Sequence, residues 1–132
     1  MIRALITAGR LGAILHSDDV IGGLTKFGAR LALKAQHVDH EAGEDMVELM
    51  RSRVPEDTGN LLNGITLRQE GNVTIVEASA IRGDYDYARV VEFGRPDMQA
   101  EPYFLGSAED VLEQRGKSMD DIIPEAARES GL

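Results

Sequence analysis

The residue types best suited to chemistry crowd into one short stretch. His37, His40, Glu41, Glu44 and Asp45 fall within nine positions of one another. Imidazoles and carboxylates at i, i+3 and i, i+4 spacing share one face of a helix, the arrangement that metal sites in helical proteins use. A zinc or manganese ion held by His37, His40, Glu41 and Asp45 would make a metal-dependent hydrolase, a nuclease for example. These residues, however, fall on the polar face of their helix. A metal site there lacks a shielded cavity, supporting hydrogen bonds and any evident base or oxyanion donor. A solvated charged face is the plainer reading.

Other chemistry is weaker still. Ala8-Gly9-Arg10-Leu11-Gly12 follows an apolar start, but a full G-x-G-x-x-G and a ribose-binding acid are missing. Glycines that permit a bend suffice there. His16, His37 and His40 supply imidazoles, yet no G-x-S-x-G elbow presents a serine to any of them. Tyr85, Tyr87, Phe93, Tyr103 and Phe104 cluster late in the chain, beside Asp84, Asp86, Glu92, Asp97 and Glu101. A base-stacking platform interleaves its rings with Lys and Arg, so core packing is the better expectation for these aromatics. The chain is expected to be no enzyme and to hold no cofactor and no metal.

Composition narrows the classes further. The 132 residues suit one domain, and 42% hydrophobic content suffices for one core. The net charge is -9, against a basic DNA-binding regulator. Residues 1–53 are charge-balanced, with seven basic and seven acidic side chains; residues 54–132 hold seven basic and sixteen acidic ones. Cysteine is absent, which excludes disulfides, thiolate metal sites and thiol catalysis. No apolar run reaches the roughly 18 residues of a membrane span. The stretch Ala4 to Leu15 carries Arg10 and lacks a cleavage site, so neither a signal peptide nor a membrane role is expected.

These side chains must be positioned by a small set of elements. Leu24, Phe27, Leu31, Ala35, Val38, Ala42, Met46 and Leu49 recur in steps of three and four, the stripe of a long amphipathic helix over 21–53. Asp18 and Asp19 precede it and favour its N-terminal end; Pro55 stops it. Thirty such residues make a rod of about 45 Å, longer than the roughly 36 Å of a compact chain this size. A rod that long suggests support from a neighbouring subunit. Residues 54–64 read as a turn in which Asp57 or Thr58 caps a short helical segment over Gly59 to Asn63. Gly71-Asn72 joins two hairpin strands, Ile65 to Glu70 and Val73 to Ala78. Tyr87 to Phe93 reads as a third strand, with Tyr87, Arg89, Val91 and Phe93 on one face, completing an antiparallel sheet over 65–94. Residues 101–130 hold C-terminal helices: one opening at Pro102 and ending near Gly116, and a last short one capped by Ser118, in which Pro124 is awkward. Residues 1–20 form an arm in which Met1 to Ile6 fits a strand or a frayed helix start. The whole is an α+β domain: a long helix packed on a small antiparallel sheet, then C-terminal helices.

Three segments of this chain resemble one family. Val54-Pro55-Glu56-Asp57-Thr58-Gly59-Asn60-Leu61 is similar to a V-P-x-D-T-G-x-L signature. Tyr87-Ala88-Arg89-Val90-Val91-Glu92-Phe93-Gly94 is similar to its Y-A-x-x-V-E-F-G partner, and Pro102-Tyr103-Phe104-Leu105 resembles the start of its C-terminal helix. The family is the neck, tail-completion or head–tail joining (minor tail) proteins of long-tailed bacteriophages and gene transfer agents. With the long helix, the resemblance spans about residues 20–115; Asn60 to Asn63 lacks the basic residue usual after D-T-G.

The resemblance implies a structural virion protein at the head–tail junction, made in the host bacterial cytoplasm. It implies a homo-oligomeric, hexameric ring that joins the head connector or stopper to the tail tube or its terminator. DNA passes through the lumen without specific binding. A tail terminator capping the tube is the alternative within the same class. A negative lumen would repel phosphates and keep sliding easy, and Asp84 and Asp86 are candidate lumen-facing acids. The motif residues Val54, Pro55, Asp57, Thr58, Gly59, Leu61, Tyr87, Ala88, Val91, Glu92, Phe93, Gly94, Pro102, Phe104 and Leu105 are then architectural, with Gly59 expected at positive φ.

Overall fold

A 36-residue helix, α1 (Asp18–Arg53), organises the molecule. The computed structural model describes residues 2–7, 18–55 and 59–132. The helix starts at Asp18, so Asp18 and Asp19 lie within its first turn and not before it. The stripe read from the sequence is the buried one: Ala35, Val38, Ala42 and Met46 are in the core, while Leu24, Phe27 and Leu31 are half-buried. Val54 still donates its amide to Met50 O, at 3.1 Å, before Pro55 ends the helix.

The sheet has three antiparallel strands in the order β1-β3-β2, from β1 (Ile2–Thr7), β2 (Ile65–Glu70) and β3 (Val73–Ala78). Glu70 pairs with Val73 across the expected two-residue turn, where Gly71 has φ 59°. Of the two expectations for the N-terminus, the strand is the one found; Ile2 pairs with Ala78 and Thr7 with Val73. Thr74, Val76 and Ala78 alternate with Val73, Ile75 and Glu77, as period two requires. A short helix, α2 (Asn60–Asn63), precedes the sheet, and a small hairpin, β4 (Ile81–Arg82) with β5 (Tyr85–Asp86), follows it.

Two elements differ from the sequence reading. Tyr87 to Phe93 is not the third strand but a helix, α3 (Tyr87–Phe93). Its buried residues Tyr87, Ala88, Val91 and Glu92 follow helical spacing. Arg89 and Phe93 therefore share its exposed side, and Val91 lies opposite them instead of beside them. The β-branched pair Val90-Val91 favoured a strand, but Asp86 accepts the Ala88 amide at 3.0 Å and caps a helix. The sheet accordingly does not run through residue 94; its third strand comes from the N-terminal arm.

The C-terminal helices are likewise one helix, α4 (Tyr103–Glu129), continuous through Gly116, Ser118 and Pro124. Tertiary packing overrides these breakers, because α4 runs antiparallel along α1. Cross-links mark the whole length: Arg53 to Asp110, Arg115 to Asp39, Lys34 to Glu125, and Arg30 to Glu129. α1 thus lies between the sheet and α4. The support expected from another subunit for this long rod is supplied, along much of it, by the chain's own α4.

Candidate functional site: the motif junction and the α1–α4 groove

The three motif segments converge on one core. Val54, Leu61, Tyr87, Ala88, Val91, Tyr103 and Phe104 belong to a single buried cluster, together with Met46 and Met50 of α1. Tyr103 and Phe104 meet edge to face, centroids 6.4 Å apart, a favourable aromatic geometry. The Tyr103 hydroxyl donates to Ala88 O at 3.1 Å. Burial, then the nearby Glu92 and Asp86 charges, pushes that phenol well above its ordinary pKa, so it stays a donor.

Glu92 joins the second motif to the third. Its carboxylate is buried and accepts the Phe104 amide at 2.8 Å and the Leu105 amide at 2.9 Å. These are free donors of the first turn of α4, and an anion there also meets the helix dipole. Pro102 stands at the N-cap and Leu105 is 47% exposed. Gly94 ends α3 at φ 73°; a Cβ there would meet Met98 O and Ala100 N, each at 2.8 Å. Gly59 has φ 73°, as expected, and is itself the N-cap of α2, so the helix begins at Asn60. The capping expected of Asp57 or Thr58 lies outside the described residues, as do Glu56, His16 and the Ala8 to Gly12 turn.

The candidate acids divide. Asp84 is exposed at the tip of the small hairpin. Asp86 is half-buried, and one oxygen accepts both the Ala80 amide at 3.1 Å and the Ala88 amide. Partial burial raises its pKa, but hydrogen bonds, those amides among them, outweigh it and hold the carboxyl below the ordinary range. The histidine face is solvated. His37 reaches Glu41 at 3.1 Å and His40 reaches Glu44 at 2.9 Å, each one turn apart. His40 Nδ1 also lies 3.3 Å from Gln69 Oε1. Asp45 faces the groove described next, and no group of three or more His, Asp or Glu able to hold a metal ion occurs among the described residues. The aromatics split as well: Tyr87, Tyr103 and Phe104 are core, whereas Tyr85 and Phe93 are 44% and 57% exposed.

Sequence reasoning missed the α1–α4 seam. Asp39 is fully buried, with Arg115 Nε donating to its Oδ1 at 2.5 Å. Its Oδ2 has no hydrogen-bond partner among the described residues. Burial raises the Asp39 pKa, and Arg115 offsets this only in part. The missing premise was the antiparallel packing of α4 along α1, which places Arg115 over Asp39. Beside this pair lies an open groove of about 460 Å³. Val38, Ala42, Leu49 and Val111 form its floor, and Glu41, Asp45, Glu48 and Asp110 crowd its rim.

The model of the family described as "Bacteriophage HK97-gp10, putative tail-component" matches residues 18–94. The chain belongs to this family. The match runs from the first residue of α1 through Gly94, so it includes the first two motif segments and the turn that ends α3. The helix α4 lies beyond it, although Glu92 and Tyr103 bind the two regions together. No curated protein and no solved structure matches the chain. Membership of the HK97-gp10-like family makes the protein a bacteriophage tail component with a structural role in the virion. Among the described residues, no helix is long and apolar enough to cross a membrane.

Proposed function

We propose that this tail component is a neck or tail-completion protein that forms a homo-oligomeric ring at the head–tail junction. It joins the head connector to the tail tube, lets DNA pass through its lumen and performs no chemistry. The observation that carries the reading is the family match over residues 18–94. The geometry agrees with it, because the motif residues are used as caps, turns and core and not as an open catalytic constellation. The acidic balance also suits a conduit that must not hold phosphates.

Removing the chain from the phage tests this. Filled heads and finished tails of normal length, left unjoined, are the expected result. Overlong tubes would instead make the protein the terminator, because an uncapped head-to-tail polymer keeps growing. Joined, infectious particles would overturn both.

A further inference from the structure

The outer side of α3 and the α1–α4 groove complement each other. Arg89 and Phe93 stand one turn apart on the exposed side of α3. Phe93 is 57% exposed, and Arg89 makes no hydrogen bond or ion pair with a described residue. On the groove rim, Asp45 and Glu48 are exposed carboxylates that are equally unpaired among the described residues. Between them and α4 lies the apolar floor around Leu49 and Val111. One surface thus offers an exposed cation beside an exposed ring, and the other offers exposed anions beside an apolar trough.

Resting on the ring reading above, we propose that α3 of one copy docks in the α1–α4 groove of the next. Phe93 enters the trough and Arg89 meets Asp45 and Glu48. Aromatic and Arg side chains are the usual anchors of such contacts, and a groove of about 460 Å³ accommodates a ring together with part of a guanidinium. The two surfaces are different patches of the same chain. A head-to-tail contact of that kind closes into a ring when the rotation permits, which a self-complementary two-fold contact cannot do beyond a dimer. The charge pairing fixes direction and register, and the apolar trough supplies the burial.

The test uses assembled particles. Phe93 is replaced by the photoreactive p-benzoylphenylalanine, which keeps an aromatic anchor, and adducts are mapped by mass spectrometry. Adducts to residues 38–52 or 110–118 of a second copy, in a ladder ending at a closed ring, are expected. In parallel, Arg89→Asp should cut incorporation into particles about tenfold or more, as should Asp45→Arg with Glu48→Arg, since like charges then meet. All three changes in one chain should restore it. Several copies per particle with adducts elsewhere, with no adducts, or with no restoration by the combined reversal, would overturn this contact and leave the ring standing. One copy per particle would overturn the ring itself, and the contact with it.

Discussion

Glu92 is a buried charge whose role is architectural. Two amides of α4 converge on its carboxylate, so the negative charge is matched by hydrogen bonds and by the helix terminus. Glu92→Gln keeps one acceptor oxygen but turns an NH2 toward a donor, and should cost about 1–3 kcal/mol. Urea unfolding of the two forms measures this; an unchanged midpoint would show that the motif glutamate serves a partner instead. Asp39 has the opposite balance. Its folded pKa is raised, first by burial, with Arg115 pulling it back incompletely. The folded state therefore holds this proton more tightly than the unfolded chain, whose carboxyl titrates near pH ~3.9. The contribution of Asp39 is fully present below that pH and is lost as pH rises through the folded pKa. Melting temperatures from pH 3.5 to 7 should show wild type losing ground to Asp39→Asn on the way up, then running parallel to it. A difference that stays flat, or grows in favour of wild type, would contradict this account. Neither role can be read from residue type: Glu92 and Asp39 sit among acids that are simply solvated, and burial separates them.

Among the elements, uninterrupted periods and strong turn signals were legible, and short or interrupted patterns were not. The α1 stripe persists over many turns, so one mismatched residue does not blur it. The hairpin was legible because Gly71-Asn72 permits few other geometries. Seven residues of α3, by contrast, fit either period, and the cap that decides between them is Asp86, just outside the apolar run. The motif junction was legible as residues but not as contacts, because a bond such as Glu92 to Phe104 depends on α3 being a helix. Helix α4 was divided in two by its breakers. Gly116 and Pro124 disfavour helix locally, but the antiparallel path along α1 holds the segment helical from Tyr103 to Glu129. Pro124 is exposed and interrupts the backbone ladder, so its helical conformation is sustained by neighbours and not by propensity. Pro124→Ala should restore one helical hydrogen bond and raise stability by about 1–3 kcal/mol, the larger part of the helix-interior proline penalty. A higher melting temperature with unchanged oligomer formation is the expected result. A lower one would mean that the proline shapes a bend that α1 packing needs.

At the scale of the whole molecule, the acid excess must be sorted by what each carboxylate already does. Asp86 holds two backbone amides, Asp39 is sealed against Arg115, and Asp110 pairs with Arg53. Asp84, at the hairpin tip, is exposed and makes no bond or ion pair with a described residue. Of the two acids proposed for a lumen, Asp84 is therefore the one whose charge can be reversed without disturbing the fold. If the hairpin tip lines the channel, a ring of about six copies places about six of these carboxylates around the DNA path, where a closed wall concentrates their field. Mobile ions screen that field beyond roughly 8 Å at physiological salt, so only charges at the wall act on the passing phosphates. Asp84→Lys should leave particle assembly and protein stability unchanged while slowing genome ejection. The delay should shrink as salt is raised, because lysine–phosphate contacts weaken with ionic strength. Asp86→Lys should instead lower the melting temperature, through loss of the α3 cap. Ejection kinetics at two salt concentrations, read beside thermal unfolding, separate these outcomes. A slow, salt-sensitive ejection in the Asp84 variant alone would put the hairpin tip at the channel wall. Ejection at the wild-type rate would place the tip away from the DNA path and leave the acid excess to neighbours and solvent.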